Sequence, residues 1–181
     1  AAAPDAVPAY APIGGPHIVR FTGSTHDEHG FLTKDPVKVG KLNERLRRKI
    51  EDHAEELEIT FPTIAIGATT AFISYGVTTA AMEEAFQTAY ANGQNVSTLA
   101  VQTLWPVPEK SLVEIVKPIA TEPAMRRIVV AEMNHGDFRR EVERVVYRWC
   151  AQNRVLPPEI VGINRVDGEL ITPAQFLAQI V

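Results

Sequence analysis

Arg127-Ile-Val-Val-Ala131, followed at once by Glu132-Met-Asn-His-Gly136 and then by a helical pattern from Phe138 to Trp149, decides the fold. The run Ile128 to Ala131 is apolar without alternation, which marks a strand buried on both faces of a parallel sheet. Val142, Val145, Val146 and Trp149 fall on one side of a helix. Strand, polar turn, amphipathic helix is the repeating unit of an α/β protein.

The same unit recurs on both sides. Downstream, Pro158-Glu-Ile-Val-Gly-Ile163 reads as a last strand, and Thr172-Pro173 caps a closing helix through Phe176, Leu177 and Ile180. Upstream, Val96 to Val101 reads as a strand and Pro108 to Val116 as a helix. Further back, Thr63-Ile-Ala-Ile66 reads as a buried-type strand. After Gly67, a helix is expected to run to the stop at Asn92-Gly93. Right-handed crossovers between such strands give a three-layer αβα sandwich with a mainly parallel sheet.

The lead-in differs. Residues 1–16 hold Pro4, Pro8, Pro12 and Pro16 among alanines, and proline favours an extended connection, so this stretch is expected to be a linker in something longer. Residues 17–60 form a second segment. His17 to Thr22 alternates as a short strand, and Thr25-His-Asp-Glu-His-Gly30 is a polar loop. From Asp35-Pro36 a helix follows, with Asp at the N-cap and Pro at the first position. Its stripe of Val39, Leu42, Leu46, Ile50 and Leu57 is expected to be buried, and Arg45, Arg47, Arg48 and Lys49 to be solvated. Residues 61–181 make up the αβα domain.

Composition excludes several classes. A net charge of −4 gives no electrostatic reason for a nucleic-acid or acidic-membrane partner. No apolar run approaches the roughly 18 residues that span a bilayer. Cys150 is the single cysteine, so no intrachain disulfide forms, and an iron–sulfur cluster needs several thiolates. Cys150 lies beside Trp149 on the apolar side of a helix and reads as a small buried hydrophobe. A cytoplasmic setting is expected.

Ligands of open parallel sheets collect at the carboxyl ends of the strands, where three polar stretches fall. Gly67-Ala-Thr-Thr70 reads as a strand-to-helix turn, since it lacks G-x-G-x-x-G and a Walker lysine. Glu132, Asn134 and His135 either bind a substrate or position a partner, or they cap the following helix. Thr25, His26, Asp27 and Glu28 lack the spacing of a metal site and read as a rigid, hydrogen-bonded loop meeting another domain.

These motifs, in this order, resemble one family. Thr22-Gly23 with Thr25-His-Asp-Glu28 and Gly30 resembles the T-G-x-T-H-D-E-x-G segment of 2-oxoacid:ferredoxin oxidoreductase α subunits. Leu104-Trp-Pro-Val-Pro-Glu109 is similar to their L-W-P-F-P-E turn, and Val130-Ala-Glu-Met-Asn134 with Gly136 to their V-x-E-M-N-x-G. Ile163-Asn-Arg-Val-Asp-Gly168 and Ile171-Thr-Pro173 resemble the closing strand, turn and helix. The resemblance runs from about Pro16 to the end and is strongest to the 2-oxoglutarate and branched-chain members. Gly67 to Gly93 departs from it, with Phe72-Ile-Ser-Tyr-Gly76 as the expected insertion.

For the intact enzyme the resemblance implies oxidative decarboxylation of a 2-oxoacid, 2-oxoglutarate first, to an acyl-CoA. Thiamine diphosphate, Mg²⁺ and [4Fe-4S] clusters are implied, with electrons going to ferredoxin. None of these cofactors is expected in this chain. The implied partners are the pyrimidine-binding domain or subunit, a β subunit and a γ subunit, with coenzyme A as substrate. This region is similar to the transketolase C-terminal domain, which implies assembly rather than chemistry. Thr25, His26, Asp27, Glu28, Glu132, Asn134 and His135 are then the expected interface groups. Alternatives are a free-standing αβα binding module, or the equivalent domain of a transketolase or 2-oxoacid dehydrogenase.

Overall fold

The computed structural model describes residues 6–7, 9–19, 23–117 and 125–181. The chain divides into two compact units, Ala1–Ala54 and Glu55–Val181.

In the first unit, α1 spans Pro36–Glu51, with the Asp35 carboxylate accepting from the amides of Val37 and Lys38 and Pro36 in the first turn. This is the start that the sequence predicts. None of its residues is buried, and Leu46 is 49% exposed, so the expected burial of the stripe is not found. Leu57 lies beyond the helix end, in the short α2 (Ala54–Leu57). Of the expected strand from His17 to Thr22, residues 20–22 lie outside the described residues, and 17–19 form no strand.

The second unit is the sandwich. Its strands are β1 (Thr60–Thr63), β2 (Thr70–Tyr75), β3 (Val96–Val101), β4 (Arg127–Glu132) and β5 (Glu159–Asn164), in the order β1-β3-β2-β4-β5. Four are parallel, and β1 runs antiparallel along β3. Helices α3 (Thr78–Ala91), α4 (Glu109–Val116), α5 (Asp137–Asn153) and α6 (Pro173–Leu177) complete the layers. One core cluster sets Ile73, Leu99 and Val130 with Leu112, Ile115, Val142 and Val146. The other sets Phe72, Val129 and Ile163 with Met82, Ala85 and Phe176. The two clusters are the opposite faces of one sheet, as period-two alternation of side chains requires. Cys150 is buried within the first, and burial pushes its thiol pKa up.

One region departs from the sequence reading. Residues 70–75, expected within a helix, form the central strand, every residue from Thr70 to Ser74 being buried. Strand β1 ends at Thr63, and Ile64 and Ile66 are exposed. Pro62 explains the shift, because a residue without an amide donor belongs on an edge strand and not in the middle of a ladder. Gly67 to Thr70 therefore leads into a strand, and no helix N-terminus follows it.

Candidate functional site

The order β1-β3-β2-β4-β5 sends the chain from β2 outward to β3 and from β4 outward to β5. The crevice between the carboxyl ends of β2 and β4 is thus the topological switch point, where open α/β sheets bind ligands. Here it is filled by three side chains of the protein itself.

Glu132, the last residue of β4, is fully buried. Its Oε2 accepts from the amide of Phe138 at 3.0 Å and its Oε1 from the amide of Arg139 at 3.1 Å. Both are orphan donors of the first turn of α5, so a strand-end carboxylate neutralises a helix N-terminus. Asn134 Oδ1 takes the amides of Gly136 and Asp137 at 2.8 and 3.0 Å. The first turn of α5 is therefore satisfied from within. Gly136 makes the bend at φ +92°, a left-handed backbone that suits glycine.

Tyr75, the last residue of β2, joins this pair. Its hydroxyl donates to Glu132 Oε2 at 3.1 Å and accepts from Asn134 Nδ2 at 2.6 Å. Its ring meets Phe138 edge-on at 5.6 Å. Burial, then the Glu132 carboxylate, pushes the phenol pKa up to about 12, so it stays a protonated donor. Asn164, closing β5, donates from Nδ2 to the Asn134 carbonyl at 3.0 Å. The ends of β2, β4 and β5 and the start of α5 are thus tied into one polar network.

Of the residues singled out from the sequence, Glu132 and Asn134 come together and His135 stands exposed beside them. Between the two readings of this stretch, capping is what the geometry displays for Glu132 and Asn134. The sequence reading missed Tyr75, which lay inside the supposed insertion.

Thr25, His26, Asp27 and Glu28 belong to the other unit. His26 bridges Leu32 antiparallel, and Thr33 donates its amide to the Thr25 carbonyl at 3.0 Å. Asp27 Oδ1 accepts from the amides of Phe31 and His29, each at 3.0 Å, and Lys38 Nζ lies 3.3 Å from Oδ2. The Phe31 amide first, then the His29 amide and Lys38, hold the Asp27 carboxyl below its ordinary value. Glu28 and His29 are exposed and 4.0 Å apart. The loop is a closed, hydrogen-bonded turn.

Among the described residues no three His, Cys, Asp or Glu come together as metal ligands, and one cysteine cannot hold a cluster. Among the described residues this site offers no ligand set for Mg²⁺-diphosphate or an iron–sulfur cluster.

The domain is a three-layer αβα sandwich whose switch point is closed by its own Tyr75, Glu132 and Asn134. Residues 68–176, more than half of the chain, match the family described as pyruvate:ferredoxin oxidoreductase core domain II, and the chain belongs to that family. It is 27% identical over 170 residues to the 2-oxoglutarate synthase subunit KorA of Methanocaldococcus jannaschii, covering 94% of this chain and 42% of that protein. The corresponding subunit of Methanothermobacter marburgensis is 29% identical over 169 residues, covering 93% and 41%. The chain thus spans less than half the length of these curated relatives. A solved 2-oxoglutarate:ferredoxin oxidoreductase from Magnetococcus marinus, with 2-oxoglutarate, coenzyme A and succinyl-CoA bound, shares the fold with a TM-score of 0.64 at 19% identity. That match covers 93% of this chain and 27% of that one.

Proposed function

We propose that this chain is the C-terminal domain of the α subunit of a 2-oxoglutarate:ferredoxin oxidoreductase and that its work is assembly. The observation that carries the proposal is the family match over residues 68–176, joined to two curated relatives that are both 2-oxoglutarate synthase subunits. The intact enzyme converts 2-oxoglutarate and coenzyme A to succinyl-CoA and carbon dioxide, and the electrons go to ferredoxin. Thiamine diphosphate, Mg²⁺ and [4Fe-4S] clusters reside with the pyrimidine-binding domain and the β and γ subunits, in the cytoplasm.

In this reading Thr25, His26, Asp27, Glu28 and His135 face partner domains. Glu132 and Asn134 act behind that surface by fixing the first turn of α5. The test is coenzyme A-dependent ferredoxin reduction by the intact complex with 2-oxoglutarate, pyruvate and branched-chain 2-oxoacids in parallel. The highest kcat/KM is expected for 2-oxoglutarate. A preference for another 2-oxoacid corrects the substrate, and no 2-oxoacid-dependent reduction overturns the proposal.

A further inference from the structure

An αβα sandwich covers both faces of its sheet with helices, because an apolar sheet face left in water is costly. Among the described residues of the second unit, β1 is covered by a helix on one side only. Helix α4 packs over β3 and β1, and Thr60 Oγ1 meets Ser111 Oγ at 2.6 Å. On the opposite side α3 packs over β2 and β3, and Phe61 and Thr63 stand beyond it. Phe61, paired with Ala100 in the ladder, is 58% exposed.

The result is a groove in the second unit between α3 and the half-covered sheet. Its lower part, about 480 Å³, has Phe61, Thr63 and Ala100 on the floor and Ala80, Glu83 and Gln87 on the wall. Its upper part, about 640 Å³, shares Phe61, Glu83 and Ala100 and ends at Tyr75 and Leu104. Trp105, next in the chain to Leu104, is 72% exposed. Exposed Phe61 and Leu104 along an open groove are the composition of a protein-binding patch rather than of a small-molecule site.

The rim has one sign of charge. Helix α3 carries Glu83 and Glu84 and no Lys or Arg. Neither glutamate is in an ion pair among the described residues. Elsewhere on the same domain surface carboxylates do find cations, as with Glu109 beside Arg144 and Arg148.

We infer that this groove docks one amphipathic helix of a partner protein, apolar on the side facing Phe61 and Ala100 and carrying Lys or Arg on the flank facing Glu83 and Glu84. A helix there occupies the place that the sandwich leaves open. Cations on that flank meet the two carboxylates, which favours this partner over an acidic one.

The test uses the whole 181-residue chain, isotope-labelled, and two synthetic amphipathic helices with the same leucine stripe, one flanked by lysine and one by glutamate. The lysine-flanked helix is expected to bind saturably, with amide shifts confined to β1, the end of β3 and α3. The glutamate-flanked helix is expected to bind at least about tenfold more weakly. Glu83→Lys with Glu84→Lys should weaken the first helix about tenfold, and Ala80→Trp, which fills the groove from the exposed side of α3, should abolish binding. Far-UV circular dichroism checks that both variants keep their fold. Binding indifferent to these changes, or no saturable binding, overturns the inference. So do shifts along the outer edge of β1 alone, which mean strand addition, and concentration-dependent shifts without peptide, which mean a second copy.

Discussion

Replacing Glu132 by alanine should be among the most destabilising single changes in this domain. The carboxylate is fully buried and takes three donors, the amides of Phe138 and Arg139 and the hydroxyl of Tyr75. Hydrogen bonds to a charged acceptor contribute about 1.5–3 kcal/mol each, and they do not add fully when they share one acceptor group. Truncation also strands a Phe138 amide whose residue is 6% exposed, and it opens a cavity at the strand end. Against this stands the relief of desolvating a carboxylate, worth several kcal/mol. The balance is a loss of about 3 kcal/mol, a large part of the 5–15 kcal/mol that holds an ordinary domain together. Glu132→Gln keeps the volume and one acceptor oxygen, but its NH₂ group must face an amide or the phenol. It should cost about 1–2 kcal/mol. Urea unfolding followed by tryptophan fluorescence gives both numbers, provided that the slope with denaturant is unchanged. A loss below about 1 kcal/mol for the alanine variant refutes the reasoning, since it assigns Glu132 the behaviour of a surface residue.

Further outcomes follow from the same structure. Phe72→Ala should cost about 3–5 kcal/mol, because Phe72 is fully buried in β2 against Phe176, whereas an insertion loop would tolerate it; urea unfolding distinguishes the two. Leu46→Ala on α1 should change the stability of the chain by less than about 1 kcal/mol in the same assay, since that residue is half exposed. Tyr75 should titrate near pH 12 by tyrosinate absorbance against an ordinary 10.0, and that late phase should vanish in Tyr75→Phe. Because the folded state holds this proton more tightly than the unfolded one, its contribution is full below pH 10 and is lost as pH rises toward 12. Asp27 has the opposite sign. Its contribution is present above the ordinary 3.8 and is lost as pH falls through the lowered folded value, so the Gly30 amide signal should move there in wild type and not in Asp27→Asn.

Much of the sandwich was legible because its signals are local. The apolar runs of β3 and β4, the stop at Gly93, and the Thr172-Pro173 start of α6 lie where the sequence puts them. Strand β2 was hidden by its neighbours. Thr70-Ala-Phe-Ile-Ser-Tyr75 flows into an alanine-rich helix with only Gly76 and Val77 between, so helical periodicity extends backward through it. The burial of α1 was misjudged for another reason. Amphipathicity shows that a face wants cover, and it does not say whether the cover is in the same chain.

The candidate site was half legible. Glu132 and Asn134 stood out as polar groups at a strand end, but a carboxylate there looks solvated from sequence. The available signal was that Glu132 directly continues the buried run Ile128 to Ala131 and precedes a helix by a few residues. Tyr75 could not be paired with it without the strand order, because the two lie 57 positions apart.

The most direct test of the proposed role takes a 2-oxoglutarate:ferredoxin oxidoreductase α subunit without this region and supplies the region separately. The α subunit, expressed with its partner subunits and lacking the region equivalent to residues 17–181, would be assayed for assembly and for 2-oxoglutarate- and coenzyme A-dependent ferredoxin reduction. The same preparation would then receive this chain in trans. The account predicts loss of assembly and of activity on removal, recovery of both on adding the chain, and no activity from the chain alone. Full activity in the absence of the domain, or turnover by the isolated chain, would contradict it.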